Sequence, residues 1–510
     1  MSATEPVFPG PGILLVLDGW GHADASDDNA LTLARTPVLD ELVTHRPSTL
    51  AKASGDAVGL LPGTVGNSEI GHMVIGAGRP LPYDSLLVQQ AIDTGSLRTH
   101  PRLGTLLERI TASSGALHLI GLCSDGQIHA NVEHLSELLA AAATHQVERV
   151  FIHAITDGRD VADHTSETYL TRVTELAAQA GAGQIATVIG RGCAMDKAGN
   201  LDLTEQAVTL VADGRGVPAD SIHAAVSAGE RGDEWVPATV LTAAGDASVA
   251  DGDAVVWFNF RSDRIQQFAD RLSEHLTATG RSVDMVSLAQ YDTRTAIPAL
   301  VQRADASGGL ADELATAGLR TVRIAEAEKF EHVTYYINGR DATVRGGEEH
   351  VRVTGDGKPD YVARPRMNLD RVTAAVVEAA TRPEVDLVIA NLANIDVVGH
   401  TGNLAATVTA CEATDAAVGQ ILEAAGDSRW VLAVGDHGNA ERMTKEAPDG
   451  TLRPYGGHTT NPVPLVIIPP GTDTPPLALP QTATLADVAP TVLHLLGHKP
   501  GSAMTGRTLL

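Results

Sequence analysis

The chain has 510 residues, too many for one compact core, so two domains are expected. Its formal charge of −26 excludes the basic footprint of a general nucleic-acid binder, and no apolar run reaches the length of a membrane helix. An anionic small molecule stays open as a ligand, because a few clustered arginines set the local field whatever the net charge. The N-terminal Met-Ser-Ala-Thr-Glu-Pro lacks the basic and apolar regions of a secretory signal, and Cys123, Cys193 and Cys411 lie far apart. A reducing, cytoplasmic setting without disulfides is the expectation.

Residues 12–17 form an apolar run without alternation, the pattern of a parallel strand covered on both faces, and it ends in Asp18 and a glycine-rich turn. Ligands of open α/β sheets bind beyond the carboxyl ends of such strands, where Asp18 falls; an aspartate there is equally a turn former. Residues 30–46 read as a helix with Thr36-Pro37 as a start signal. Residues 62–76 set Ser68 in a glycine-studded turn before a helical stretch. Backbone N–H groups at a helix start favour an anion, so Ser68 reads either as a nucleophile toward phosphate or as a helix-capping serine.

A second strand–helix series begins near residue 83. Strands at 116–122, 150–156, 185–190 and 254–260 each run into a polar loop, and residues 133–144 read as a helix. Arg159, Arg191, Arg261 and Arg264 sit in these loops, and a shared anion site explains them better than four unrelated rim residues, since guanidinium forks suit carboxylate and phosphate. A third series starts near residue 305, with a strand at 319–325 followed by an acidic loop containing Lys329. Residues 334–364, with Gly339, Gly346, Gly347 and Gly355, suggest antiparallel hairpins or an excursion. Strands at 385–392 and 430–435 lead into Asp396 and His400 and into Asp436-His437; His458 precedes a strand at 462–468, and residues 485–496 form an amphipathic helix. Repeated βα units define an α/β protein, with no fixed-period repeat and no low-complexity linker.

Asp18, Asp396, His400, Asp436, His437 and His458 all fall at strand mouths. Carboxylate oxygen and imidazole nitrogen suit Mn²⁺ or Zn²⁺. Asp396 and His400 face one side if the turn between them is helical, and Asp436-His437 in a loop can straddle two ions. Singly, Asp-His-Gly is often only a turn and a histidine such as His458 a hydrogen-bonded structural residue; six together read as a two-metal site. Such a site lowers the pKa of a bound serine and neutralises a phosphoryl group, and Ser68 supplies the nucleophile it needs. The chain thus divides into a metal-and-serine part, residues 1–82 and 305–510, and an arginine-rich part, residues 83–304.

Several motifs then occur in order: Leu-Asp18-Gly-Trp-Gly, Gly66-Asn-Ser68-Glu-Ile-Gly-His, Asp157-Gly-Arg159-Asp160, Ala194-Met-Asp196, Phe258-Asn-Phe-Arg261-Ser-Asp-Arg264, Ala325-Glu-Ala-Glu-Lys329, Asp396-Val-Val-Gly-His400, Gly435-Asp-His437-Gly-Asn and Gly457-His458-Thr-Thr-Asn-Pro-Val-Pro. Over nearly its whole length the chain resembles the cofactor-independent (2,3-bisphosphoglycerate-independent) phosphoglycerate mutases of the alkaline phosphatase-like superfamily. The resemblance implies two α/β domains: an alkaline phosphatase-like sheet sandwiched by helices (1–82 and 305–510), and an inserted α/β phosphotransferase domain (83–304) that holds substrate. It implies two Mn²⁺ ions, with Zn²⁺, Co²⁺ or Mg²⁺ as alternatives, one on Asp396, His400 and His458 and the other on Asp18, Ser68, Asp436 and His437. Ser68 would take the phosphoryl group of 3-phosphoglycerate, with Lys329 stabilising its charge. His129, Arg159, Asp160, Arg191, Arg261 and Arg264 would hold the glycerate, a small phosphorylated three-carbon acid before transfer, with Asp160 as proton shuttle. No 2,3-bisphosphoglycerate, nucleic acid or membrane enters, and the protein would be a cytoplasmic monomer whose domains close over the substrate.

The chain departs from the family where a Tyr-Tyr-Ala-Met-Asp-Arg stretch is usual. It has Gly192-Cys193-Ala194-Met195-Asp196-Lys197, losing two rings and, at Lys197, a guanidinium fork in a substrate-binding position. Asn338-Gly339-Arg340 replaces a usual Gly-Gly pair. These changes leave two other readings: a paralogous metal-dependent transferase acting on a related phosphate or phosphonate ester, and a plain phosphomonoesterase. A non-enzymatic binding module leaves the metal set and Ser68 without purpose.

Overall fold

The computed structural model describes residues 8–196, 199–355, 360–446, 450–471 and 477–510. It divides into two compact units, residues 1–82 with 305–510 and residues 83–304. Each is built on an eight-stranded sheet of mostly parallel strands flanked by helices.

In the first unit the strand Gly12–Leu17 lies at the centre, paired in parallel with Leu387–Leu392 on one side and Trp430–Gly435 on the other. All six of its residues are buried, as the unalternating apolar run requires of a strand covered on both faces. Thr321–Glu326 and then Glu348–Val353 extend the sheet in parallel beyond Leu387–Leu392. On the other flank Val463–Ile468 runs antiparallel to both Trp430–Gly435 and Ser48–Lys52, and Thr482–Thr484 closes the edge. Ile13, Leu15 and Leu17 pack on one face with Val376 and Ala380 of the helix Leu369–Thr381 and Cys411, Val418 and Ile421 of Leu404–Ala425.

Three sequence expectations change. The helix expected over 30–46 is two helices, Ala30–Leu33 and Pro37–His45, because Pro37 occupies a first-turn position and starts its own helix. Residues 334–364 contain no antiparallel hairpin among those described: a π-helical turn, His332–Tyr336, leads to the parallel edge strand Glu348–Val353. The strands Ser48–Lys52 and Thr482–Thr484 carry too little apolar pattern to show in the sequence.

In the second unit the strand order is Ala299–Val301, Asp284–Ala289, Ala254–Trp257, Ala116–Leu122, Arg149–Thr156, Gln184–Gly190, Thr239–Leu241 and Val217–Ala219, with Thr239–Leu241 antiparallel to Gln184–Gly190. Side chains alternate across this sheet. Leu117 and Leu119 pack with Leu103 and Leu107 on one face; Ile120 and Leu122 pack with Val208, Val211 and Leu272 on the other. The second face carries a buried polar seam. His118 Nε2 lies 3.2 Å from Asp253 Oδ2, its Nδ1 2.9 Å from His153 Nε2, and His153 Nδ1 2.9 Å from Thr187 Oγ1.

Burial, and then the neighbouring His118, pushes His153 well below the ordinary histidine range. An unfolded histidine takes a proton near pH ~6.5 and the folded His153 only far lower, so stability present above ~6.5 drains as the pH falls, by at most about 1.4 kcal/mol per pH unit. His153→Gln is expected to flatten the acid dependence of the urea midpoint, whatever it does to stability at neutral pH. Identical slopes for variant and wild type would contradict the burial of a neutral His153.

Candidate active site

Strand register assembles the site in the first unit. Leu17 stands level with Leu392 and with Gly435, so three chains leave the sheet at one height. Asp18 follows directly on the first, Asp436 directly on the third, and the helix Asn394–Gly399 on the second. That helix carries Asp396 in its first turn and His400 at its C-cap, bringing His400 Nε2 to 3.3 Å from Asp396 Oδ1. Because Val463–Ile468 runs antiparallel, the loop before it emerges at the same end and delivers His458 Nε2 to 3.3 Å from Asp396 Oδ1. The His458 and His437 rings stack with centroids 3.8 Å apart.

Ser68 is the first residue of the helix Ser68–Ala77, and the cap is Asn67, whose side chain accepts the Ile70 N–H at 3.0 Å. The capping reading of Ser68 therefore fails, and its hydroxyl is released for other contacts. Ser68 Oγ donates to Asp18 Oδ1 at 3.2 Å, lies 2.9 Å from His437 Nε2, and accepts from Lys329 Nζ at 2.6 Å. A Cβ on Gly71 would sit 2.6 Å from the Asp436 carbonyl oxygen, so glycine is what lets this helix start approach the Asp436 loop. Lys329 Nζ also donates to Asp18 Oδ1 at 2.8 Å and Asp396 Oδ2 at 2.7 Å. Burial works against its charge, but Asp18, Asp396 and Asp436 outweigh burial and hold it protonated far above the usual lysine range.

Two residues that the sequence reading left without a role complete the floor. Asn391 donates to Asp18 Oδ2 at 2.7 Å and lies 3.1 Å from His72 Nε2; His72 Nδ1 lies 2.8 Å from the Ser68 carbonyl oxygen. His72 has a local signal, standing one helical turn after Ser68. Asn391 has none, being one polar residue in an apolar strand.

The donor set fits divalent cations. His400 Nδ1 lies 2.7 Å from the Gly456 carbonyl oxygen, His458 Nδ1 2.8 Å from that of Gly66, and His437 Nδ1 3.3 Å from that of Gly438. Each ring thus has its Nδ1 engaged by a backbone carbonyl and faces the carboxylates with its Nε2, the arrangement of metal-ligating histidines. His400 Nε2 and His458 Nε2 approach to 3.1 Å, and the buried Asp436 Oδ2 accepts no hydrogen bond from the described residues. Acceptors crowded in this way call for cations between them. The ligand atoms of Asp396, His400 and His458 lie within 4.8 Å of one another, as do those of Asp18, Asp396 and His437 and those of Asp18, His72 and Asp436.

In the second unit Arg191 is buried and its NH1 donates to Asp157 Oδ1 at 2.7 Å and Asp160 Oδ2 at 2.6 Å. His129 Nε2 stands 4.0 Å from Asp160 Oδ2, and Asp263 Oδ1 pairs with Arg261 Nε at 3.0 Å and lies 3.6 Å from His129 Nδ1. Burial, and then the positive charge of Arg159, lowers the basicity of Arg264, with Asp263 opposing and Arg191 and Arg261 acting in the same direction as Arg159. Burial also raises the Asp160 carboxyl above its ordinary range, against the opposing pull of Arg191. At Gly192 a Cβ would meet the Trp235 ring at 2.8 Å, so an indole packed against that backbone leaves no room for a ring at this position; Arg231 lies over the same indole, 4.3 Å from its centroid. Lys197 lies outside the described residues.

A serine held by a lysine among carboxylates and imidazoles, on this fold, defines a metal-dependent class of protein. The profile of the Metalloenzyme superfamily matches residues 10–500. A 2,3-bisphosphoglycerate-independent phosphoglycerate mutase of Streptomyces coelicolor is 84% identical over 100% of both chains, and one of Synechococcus is 38% identical over 98% of this chain and 96% of its own. The solved phosphoglycerate mutase of Leishmania mexicana, at low cobalt concentration, superposes with a TM-score of 0.79 at 28% identity, covering 98% of each chain. The chain belongs to the family of 2,3-bisphosphoglycerate-independent phosphoglycerate mutases.

Burial opposes a proton on His437, but Asp436, Asp18 and Asp396 outweigh it and raise this imidazole to about 9. A cation must displace that proton. Apparent Mn²⁺ affinity should therefore climb with pH up to about 9, by as much as about tenfold per pH unit, and Mn²⁺ added to metal-stripped protein in weak buffer at about pH 7.5 should release protons. Metal uptake without proton release would contradict the ligand role of His437.

Proposed function

We propose that this protein interconverts 3-phosphoglycerate and 2-phosphoglycerate through a phosphoserine at Ser68, with no 2,3-bisphosphoglycerate, as a cytoplasmic monomer in glycolysis and gluconeogenesis. What carries the reading is the Ser68 hydroxyl, set between Asp18, His437 and Lys329 in a chain 84% identical to a mutase of this kind. Asp396, His400 and His458 would hold one Mn²⁺ and Asp18, Ser68, Asp436 and His437 the other; Zn²⁺, Co²⁺ or Mg²⁺ would suit the same donors. When bound, the ions supply positive charge that favours the serine alkoxide and the phosphoryl oxygens.

With its proton given up to solvent, Ser68 attacks phosphorus as the alkoxide, the Oγ–P bond forms as the P–O3 bond breaks, and Lys329 steadies the charge on the transferring group. The guanidinium groups of Arg159, Arg191, Arg261 and Arg264, with His129 and Lys197, grip the glycerate carboxylate and hydroxyls. Asp160, whose carboxyl is raised toward proton-holding by burial, gives O3 its proton and takes the proton of O2. O2 then attacks the phosphoserine and restores Ser68. Two in-line displacements give retention at phosphorus.

The transferase and phosphomonoesterase alternatives are not favoured, since the 84% identity to a mutase spans the entire chain, the second unit included. Mn²⁺-loaded protein should convert 3-phosphoglycerate in an enolase-coupled assay without added 2,3-bisphosphoglycerate and without net phosphate release. Ser68→Ala should lose on the order of 10⁴-fold or more in turnover while keeping its fold and bound metal. Failure of the wild type to form 2-phosphoglycerate, or substantial turnover by Ser68→Ala, would overturn the reading.

A further inference from the structure

Glu441 stands outside the donor set, yet it touches the neighbours of three donors. It is buried, and its Oε2 accepts the backbone N–H of Asn439 at 2.8 Å. Its Oε1 accepts the hydroxyl of Thr459 and the Asn461 Nδ2–H at 3.0 Å. Asn439 in turn donates from Nδ2 to Asp396 Oδ1 at 3.2 Å. The carboxylate therefore ties the loop carrying Asp436 and His437 to the loop carrying His458, and through Asn439 reaches Asp396. Backbone hydrogen bonds join the same two loops, the Thr459 N–H donating to the Gly438 carbonyl at 3.0 Å and the Tyr455 N–H to the Met443 carbonyl at 2.8 Å.

The space for this carboxylate is built into three loops. A Cβ on Gly21, in the turn after the Asp18 strand, would lie 2.0 Å from Glu441 Oε2, and one on Gly438 would lie 2.5 Å from Glu441 Oε1. Each oxygen is engaged as an acceptor from a different loop, which a carboxylate satisfies fully and an amide cannot, since one of its two positions donates. A carboxylate held by three donors fixes the two loops by direction.

We propose that Glu441 is a positioning residue for the two-metal centre: by bridging Asn439 to Thr459 and Asn461 it fixes the separation of His437, His458 and Asp396, and so sets the affinity and coordination geometry of the ions. It binds neither metal nor substrate itself. The inference rests on the metal-centre reading above. Partners that orient metal ligands in this way typically contribute about 10–100-fold in affinity.

The test uses full-length Glu441→Gln, which keeps size and removes one acceptor, beside Asn461→Ala, which withdraws one donor from Oε1. Mn²⁺ stoichiometry and affinity, the visible spectrum of the Co²⁺-loaded form, and the unfolding midpoint of metal-stripped protein are compared with wild type. Glu441→Gln is expected to weaken Mn²⁺ binding about 10–100-fold and alter the Co²⁺ bands, while the metal-stripped midpoint moves little. Asn461→Ala is expected to do the same to a smaller degree, and it carries the test if Glu441→Gln does not fold. Unchanged affinity and Co²⁺ spectrum, or a fall in metal-stripped stability with an unaltered spectrum, would overturn the proposal. A wild-type protein that binds no Mn²⁺ would instead overturn the metal-centre reading on which it rests.

Discussion

Three buried carboxylates, Asp18, Asp396 and Asp436, meet at the carboxyl ends of adjacent parallel strands, each essentially without solvent contact. Like charges gathered out of water are costly unless cations neutralise them, and that requirement organises everything around them. Lys329 answers part of it from the loop after Thr321–Glu326, and His437 answers part from within the cluster, its imidazole driven toward protonation by the same field. The remaining acceptors, with the Nε2 atoms of His400 and His458 turned inward, are matched to divalent ions. The Ser68 hydroxyl lies within this field, in contact with Asp18, His437 and Lys329.

The scaffold keeps these groups in place by backbone rather than by long side chains. The central strands are buried along their whole length, so their ends cannot slide without exposing apolar residues or flipping them across the sheet. Asn67 caps the Ser68 helix and frees the serine; Gly71 lets that helix approach the Asp436 loop; the imidazoles are aimed by carbonyl groups of Gly66, Gly438 and Gly456. Glu441 belongs to this outer layer. In the second unit the same logic recurs with opposite sign: Arg191 is buried against Asp157 and Asp160, whose carboxylates answer its charge.

Much of this was legible in the chain. Unalternating apolar runs ending in Asp or His are sufficient to recognise buried parallel strands with polar mouths, and the order of the motifs identifies the family. The misreadings share a physical cause. Pro37 restarts a helix rather than continuing one, and glycines near 339–355 suggested hairpins where the backbone turns and then adds a parallel edge strand. His72 and Asn391 escaped assignment because their meaning depends on what lies beside them, as does the indole of Trp235 at Gly192.

The sequence by itself determined the class of fold, the family and the residue types available for chemistry, because periodicity and local motifs are properties of neighbours along the chain. Whether the Ser68 hydroxyl caps its helix or is released for other contacts was left open by those neighbours. Only the tertiary structure decided it, by capping the helix with Asn67 and bringing Asp18, Lys329 and His437, as many as 369 residues away in sequence, to the serine hydroxyl. The physical reason is register: strands hundreds of residues apart must end level before their charges can act on one another.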